Sequence, residues 1–266
     1  FNVEIEPVKT FKIASRAGID AYTSRYGYTM YPSADFAAGS GSRQRRSGLG
    51  YAATITNTIE YSFNIANAHN ISLLAGHEGV ANYAESFSAS SDELSDDRLL
   101  NLQNGSKTTF DISESMSQSR FLSFFGRVDY SLLDRYYFDA SIRNDACSRF
   151  GVNNRNATFW AVGGMWKIKN EDFMYGISAI NDLNLKVSYG TQGNASIGDY
   201  QHLGLVTESG KYMDASTKFL VRPQSPNLTW ENQALLTVGV NGRIFNRFDF
   251  NIEFYDRTTT SMLMDV

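Results

Sequence analysis

The sequence predicts an all-β protein, an antiparallel up-and-down transmembrane β-barrel, on three observations. Apolar and polar residues alternate with a period of two over runs of more than a dozen residues, whereas soluble strands run about 5–6. One parity of these runs is densely charged, and the other is apolar with aromatics towards its ends. Connections alternate between short and long, so that turns fall on one side and loops on the other. An apolar band against lipid, a polar interior, short periplasmic turns and long outer loops make an outer-membrane barrel. In lipid the sheet must close on itself, because no backbone group there can be left unpaired. A soluble sandwich also alternates and is the competing reading.

The elements follow in order. From Lys9 to about Tyr31, Phe11, Ile13, Ala17, Ile19 and Ala21 alternate with Lys12, Arg16 and Asp20. A Gly/Ser-rich loop spans Pro32 to Ser47. From Leu49 to Phe63 the odd positions are largely apolar and the even ones small or polar. A turn at Asn67–Asn70 leads to a run from Ile71 to about Phe87, and a long polar loop, acidic around Asp92 to Asp97, reaches Gln118. The clearest signal lies between Gln118 and Lys169. Leu122, Phe124, Val128 and Tyr130 share a parity, as do Tyr136, Phe138, Ala140 and Ile142, and Trp160, Val162, Trp166 and Ile168. A tight turn at Leu133-Asp134-Arg135 joins the first two runs, and a polar loop from Cys147 to Arg155 joins the second to the third. A single helical turn fits Asn170–Ile180. Leu183, Leu185, Val187 and Tyr189 form the next strand. An irregular segment, Thr191 to Leu228, has room for a hairpin at Gln201–Thr207 and Lys218–Val221. Two final strands, Thr229–Arg243 and Phe248–Met264, meet at Phe245-Asn246-Arg247. The expectation is about nine long strands, with all four prolines outside the periodic runs, as a sheet ladder requires.

Composition narrows the function. The formal net charge is −4, which disfavours a nucleic-acid partner. The basic cluster Arg43-Gln44-Arg45-Arg46 reads as a solvated loop tip. Cys147 is alone, so no disulfide framework or thiolate metal site is expected. No stretch has the length of an apolar transmembrane helix. The chain begins at Phe1 without a signal peptide and stops at Val266 within a strand pattern, which reads as an internal piece of a longer chain, all of residues 1–266 belonging to the barrel.

Several motifs carry a family resemblance. Phe125-Gly126-Arg127-Val128-Asp129-Tyr130, then Asp134-Arg135-Tyr136, then Ser148-Arg149-Phe150-Gly151 resemble the SusC/RagA-like TonB-dependent transporters of the Bacteroidetes outer membrane. Ala146-Cys147 departs from that family's small-polar pair. Leu183–Gly190 with Gly193-Asn194, Asn227-Leu228-Thr229-Trp230-Glu231 and the Phe254-Tyr255 strand are similar to later family motifs. The resemblance covers Phe121 to Val266. It implies a plugged barrel of about 22 strands, with the plug domain and the final strands outside this chain. It also implies a bacterial outer-membrane location and active import of oligosaccharides or peptides, with a SusD-like surface lipoprotein and the TonB complex as partners. A passive porin-like channel and a soluble all-β binding module are the alternatives.

No catalytic constellation or cofactor is expected. His69, His77 and His202 lack metal-ligand spacing, and His77-Glu78 reads as an ordinary pair at a strand end. Asp92-Glu93 and Asp96-Asp97 read as a solvated loop face, with calcium binding as a minority alternative. Arg127, Asp129, Asp139, Arg143 and Asp145 share a polar parity expected to face the lumen, where they meet substrate or merely pair across strands. Tyr83, Tyr200 and Tyr212 are candidate outer-loop contacts, because aromatic faces suit sugar rings. The competing role is a rim tyrosine of the membrane-interface belt.

Overall fold

The computed structural model describes residues 1–213 and 215–264, and of Ser209, Lys211 and Tyr212 the backbone alone. Among the described residues lie twelve strands: β1 (Asn2–Val8), β2 (Phe11–Met30), β3 (Gly41–Ile65), β4 (His69–Leu94), β5 (Asp111–Leu132), β6 (Tyr136–Cys147), β7 (Asn156–Lys167), β8 (Ile180–Asn194), β9 (Leu205–Tyr212), β10 (Ala215–Arg222), β11 (Glu231–Ile244) and β12 (Phe248–Thr260). Ten form one sheet in the order β1-β2-β3-β4-β5-β6-β7-β8-β11-β12, while β9 and β10 make a separate hairpin. Chain neighbours are sheet neighbours except where that hairpin intervenes, which is up-and-down topology. No helix among the described residues is long and apolar enough to cross a membrane.

The register decides which residues share a face. Tyr130, Phe138, Gly164, Val187, Val238 and Phe254 oppose one another in turn across β5 to β8, β11 and β12. One residue along lies the row Asp129, Asp139, Gly163, Ser188, Thr237 and Tyr255. Directly opposed residues point to the same side, so a one-residue slip would exchange the two rows. The apolar row is left exposed, with Phe138 at 49% and Phe254 at 65%. A sheet that exposes its apolar face and sets its charges on the other reverses the soluble pattern.

Three hairpins close through two-residue turns with both residues at positive φ: Ala66-Asn67, Leu133-Asp134 and Phe245-Asn246, at 53–55°. These are type I′ turns, whose twist matches that of the strands. Asn or Asp occupies each second position, where a short polar side chain tolerates the left-handed region. The connection between β7 and β8 holds two short 3-10 turns, Ile168–Asn170 and Asp172–Met174.

The structure changes several expectations. The sheet has ten strands, since β1 was missed: its alternation spans only Val3 to Val8, and Pro7 interrupts it. Pro7 lies inside β1, where the register against β2 shifts between Ile5 and Val8, and a bulge on a strand is where proline is tolerated. Arg43 to Arg46 lie on β3 rather than at a loop tip. The loop expected from Phe87 to Gln118 shrinks to residues 95–110, because the serine-rich ends of β4 and β5 continue as strands. Ser86 pairs with Ser115 at 2.8 Å and Ser88 with Ser113 at 3.2 Å, so hydroxyls hold together a stretch without apolar alternation. His77-Glu78 sits within β4, not at its end.

The chain divides into two compact units. The first comprises Phe1–Ala17, Ile55–Gly79 and Arg120–Val266, and the second Gly18–Thr54 and Val80–Ser119. The first unit holds a buried cluster of Cys147, Phe150, Phe159 and Trp230, flanked by Phe121, Ile197, Leu228 and Leu263. The Phe150 and Trp230 rings stand 4.6 Å apart, and Phe159 meets Trp230 edge-on at 5.7 Å.

Candidate functional site

The five charged residues singled out in the sequence share one face of the first unit. Arg127 donates from Nε and Nη2 to Asp129 Oδ1 at 2.9 and 2.6 Å, two residues along the same strand. Arg143 is a hub. Its Nε donates to Asp145 Oδ1 at 2.6 Å, and its Nη2 to Glu78 Oε1 at 2.9 Å and Ser123 Oγ at 2.8 Å. Its guanidinium lies 5.5 Å from the Phe125 ring centre. Glu78 also accepts from Thr56 Oγ1 at 3.1 Å. Asp139 opposes Asp129 directly and has no ion-pair partner among the described residues. A Cβ at Gly163 would stand 2.6 Å from Asp139 Oδ1, so the glycine makes room for that carboxylate. Asp129, Asp139, Tyr137, Ser188 and Lys186 line an open depression of about 790 Å³ on this face.

The family-like motifs meet in the buried cluster. Phe150 is fully buried and Trp230 is 4% exposed. Gly151 passes so close to the Pro226 carbonyl that any side chain there would collide with it. Arg149 donates from Nε to Asp199 Oδ1 at 2.7 Å and from Nη1 to the Ala195 carbonyl at 3.2 Å. Trp230 Nε1 donates to the Arg155 carbonyl at 3.2 Å. These contacts pin the β6–β7 loop to the long segment between β8 and β11. The motif residues are therefore a loop anchor.

At the other end of the strands Glu171 ties three elements together. Its carboxylate accepts from Tyr136 Oη at 2.6 Å, Trp166 Nε1 at 2.9 Å and Arg135 Nη1 at 3.2 Å. The Tyr136 hydroxyl first, then the Trp166 indole and Arg135, hold this carboxyl below the usual glutamate range.

The tyrosine candidates separate. Tyr83 stands on β4 rather than in a loop. Its ring stacks on Tyr51 at 5.5 Å and its hydroxyl donates to Glu85 Oε2 at 2.6 Å. Tyr51 belongs to the largely apolar odd parity of β3. Tyr200 is half-buried in the loop after β8 with φ +62°, and its carbonyl accepts from Arg222 Nη2 at 2.9 Å. The Tyr212 side chain lies outside the described residues. Among the described residues no three His, Cys, Asp or Glu side chains converge to hold a metal ion. In the loop expected to be acidic, Arg98 takes both oxygens of Asp96, at 3.0 and 2.6 Å.

A second polar surface escaped the sequence reading. In the second unit Tyr22, Tyr26 and Tyr28 share the parity of Asp20 on β2, and their side chains are 57%, 52% and 45% exposed. The Tyr22 ring lies across Gly50, where a Cβ would approach it to 2.5 Å. Asn82 donates to Ser119 Oγ at 3.4 Å, and the two serine pairs continue the row across β4 and β5. The signal was the i, i+4, i+6 spacing of tyrosines on the polar parity, which is masked by tyrosine being counted as apolar.

Comparison with known proteins places this wall. No family model matches the chain. TonB-dependent receptor P26 of Formosa agariphila is 30% identical over 216 residues, 79% of this chain and 22% of that protein. TonB-dependent receptor SusC of Bacteroides thetaiotaomicron is 34% identical over 158 residues, 56% of this chain and 16% of that protein. The solved RagAB peptide transporter superposes with a TM-score of 0.94 at 35% identity, over 100% of this chain and 30% of that one. The chain thus spans between a sixth and a third of the length of these relatives. The ten-stranded sheet corresponds to a stretch of barrel wall, its exposed apolar face is a lipid face, and the soluble reading is set aside. The chain belongs to the SusC/RagA-like TonB-dependent transporters of the bacterial outer membrane.

Proposed function

We propose that the protein is an active importer of oligosaccharides or peptides, powered through TonB, working with a SusD-like surface lipoprotein, and that residues 1–266 form wall of its barrel alone. The observation that carries this reading is the superposition on the RagAB peptide transporter along the entire chain. Complementation of a deletion strain tests it. Growth on the imported nutrient should be lost on deleting the gene, restored by the full-length gene, and lost again on disrupting TonB. Growth that needs the gene but not TonB would establish the passive porin-like channel instead.

For substrate, the second unit's polar parity favours a neutral oligosaccharide. It carries serine, asparagine and tyrosine, with charge confined to Asp20, Arg46, Asp92 and Asp111. A flat exposed ring beside rows of hydroxyls suits stacking and hydrogen bonding to a sugar. A peptide, with charged termini, would call for ion partners. The peptide reading is supported by the RagAB relative. In this proposal Tyr22, Tyr26, Tyr28, the loop residue Tyr200 and Tyr212 at the end of β9 contact substrate, while Tyr83 serves the interface belt. Arg127, Asp129, Arg143 and Asp145 face the lumen but pair with one another and with Glu78, leaving Asp139 and Lys186 as the charges of that depression open to a ligand.

A further inference from the structure

Arg25, Arg43 and Arg45 lie on the opposite side of the second unit from its tyrosine row, since their odd positions alternate with Tyr22, Tyr26 and Tyr28 on β2 and with Gly48 and Gly50 on β3. That side also carries exposed apolar residues, with Ile19 72% exposed and Leu49 and Tyr51 40% and 37% exposed, and it holds the carboxylates of Glu85 on β4 and Glu114 on β5. Along β3 the outward residues run from Tyr51 through Leu49 and Ser47 to Arg45 and Arg43. Two of these guanidinium groups converge. A Cβ at Gly27 would stand 3.3 Å from Arg45 Nη1 and 4.0 Å from Arg43 Nη2. Arg43 Nη1 also donates to Thr29 Oγ1, which holds its plane in place over β2. No carboxylate pairs with Arg25, Arg43 or Arg45 among the described residues. Glu85, across the sheet on the same side, accepts from the Tyr83 hydroxyl.

Two like charges drawn together over a glycine, without a carboxylate in ion-pair contact among the described residues, are unfavourable by themselves. An oxyanion bridging them removes the repulsion, and guanidinium forks are the side chains that bind phosphate with two parallel hydrogen bonds. Stacked tyrosines such as Tyr51 and Tyr83 mark the level of lipid headgroups in membrane proteins. The arginines follow six to eight residues beyond Tyr51 on the same strand, about 20–27 Å along it and less along the membrane normal. That is above the tyrosines' headgroup level, where the phosphorylated sugars of an outer-leaflet glycolipid stand, and basic side chains close to such a surface attract anionic lipid.

We propose that Arg43 and Arg45 form a binding site for a phosphate of an outer-leaflet glycolipid on the outward surface of the wall. The inference rests on the outer-membrane reading, though not on active import. The site would hold a ring of lipid against the part of the barrel that rises out of the hydrocarbon.

The test uses the full-length protein in detergent, with wild type, Arg43→Gln/Arg45→Gln and Gly27→Asp compared. The probes are lipid A, dephosphorylated lipid A and inorganic phosphate, and the readouts are the shift in thermal unfolding and the lipid A that co-purifies. Lipid A should stabilise the wild type, dephosphorylated lipid A should not, and the double variant should retain lipid A about tenfold less well or worse. Gly27→Asp supplies an internal carboxylate between the two guanidinium groups. It should therefore lose the lipid A response while folding at least as stably as wild type, which keeps the test decisive even if the double variant misfolds. Equal lipid A shifts in all three proteins would overturn the site. Equal stabilisation by the dephosphorylated form would overturn the role of phosphate. A full shift from inorganic phosphate alone would make it a free-anion site and overturn the lipid assignment. A membrane-inserted wild type without any lipid A response would overturn this inference and leave the import reading standing, whereas failure to insert would overturn both.

Discussion

At the scale of single residues, the side chains that matter most are those with no freedom. Trp230 is nearly fully buried against Phe150 and Phe159, so Trp230→Ala removes a large ring from a site whose neighbours cannot collapse onto it. The expected cost is about 3–5 kcal/mol, read as a lower urea midpoint for the full-length protein refolded in lipid vesicles. Wild-type stability in the variant would show that the loops are anchored elsewhere. Gly151 explains why a motif can be legible while its purpose is not. Ser148 to Gly151 were recognisable as a pattern, yet nothing local indicates that Gly151 must lie against Pro226, 75 positions away, or that Phe150 must meet Trp230. In the proposed substrate path the residue to test is Tyr22, whose ring covers Gly50 and is 57% exposed. Tyr22→Ala with Tyr26→Ala should weaken binding of neutral oligosaccharides to the full-length protein about tenfold or more, at roughly 0.5–1.5 kcal/mol for each stacked ring. Calorimetric titration with a panel of such oligosaccharides checks it. Undiminished affinity in the double variant would remove this face from the substrate path.

At the scale of elements, turn chemistry and charge at the strand ends decide how the wall is held. Leu133 sits at φ +53° and is 54% exposed, so it carries left-handed strain and contributes little burial. Leu133→Asn keeps the turn type with a residue that tolerates it. It should stabilise the protein by about 0.5–1 kcal/mol, measured by equilibrium unfolding in the same vesicles. A loss of stability would mean that the exposed leucine makes a contact in the complete barrel. Glu171 makes the complementary case. Its carboxyl titrates below the ordinary glutamate value because Tyr136, Trp166 and Arg135 bond the charged form. A carboxyl lowered on folding stabilises at pH values above its unfolded pKa, and that contribution disappears as pH falls through the lower folded value. The unfolding midpoint should therefore drop as pH is lowered through and below the usual glutamate range, and Glu171→Gln should flatten that part of the profile. Parallel profiles for the two proteins would contradict the role. The type I′ turns were visible in sequence because Asn or Asp follows each strand. The staple was not, since Glu171 gathers partners from two strands and a turn that only tertiary structure brings together.

At the scale of the whole molecule, period-two alternation makes the topology legible and misplaces the ends of the strands. Strands β3, β4 and β5 contain 25, 26 and 22 residues, at least twice the 9–11 or so that cross hydrocarbon. Beyond the membrane both faces meet water, and the pressure for an apolar parity lapses. The serine-rich stretches of β4 and β5 therefore read as loops although hydroxyl pairs keep them extended. The same reasoning fixes where lipid should end. Phe124, Phe138 and Trp160 are exposed on the apolar face of the first unit, whereas Ile112 and Met116 share the Phe124 parity on β5 but lie in the second unit. Cys147 is 1% exposed and stays silent to a water-soluble reagent. Single cysteines introduced at the five positions, in full-length protein reconstituted into lipid nanodiscs with other exposed thiols removed, should divide into two classes. Phe124→Cys, Phe138→Cys and Trp160→Cys should resist a membrane-impermeant maleimide and become reactive only after the lipid is dissolved. Ile112→Cys and Met116→Cys should react at once, because an apolar residue on a strand that has left the membrane gains no shelter from its parity. Protection at Met116 equal to that at Phe124 would move the lipid boundary up β5 and draw the tyrosine pair Tyr51 and Tyr83 down into hydrocarbon, where their hydroxyls and Glu85 would be costly to bury.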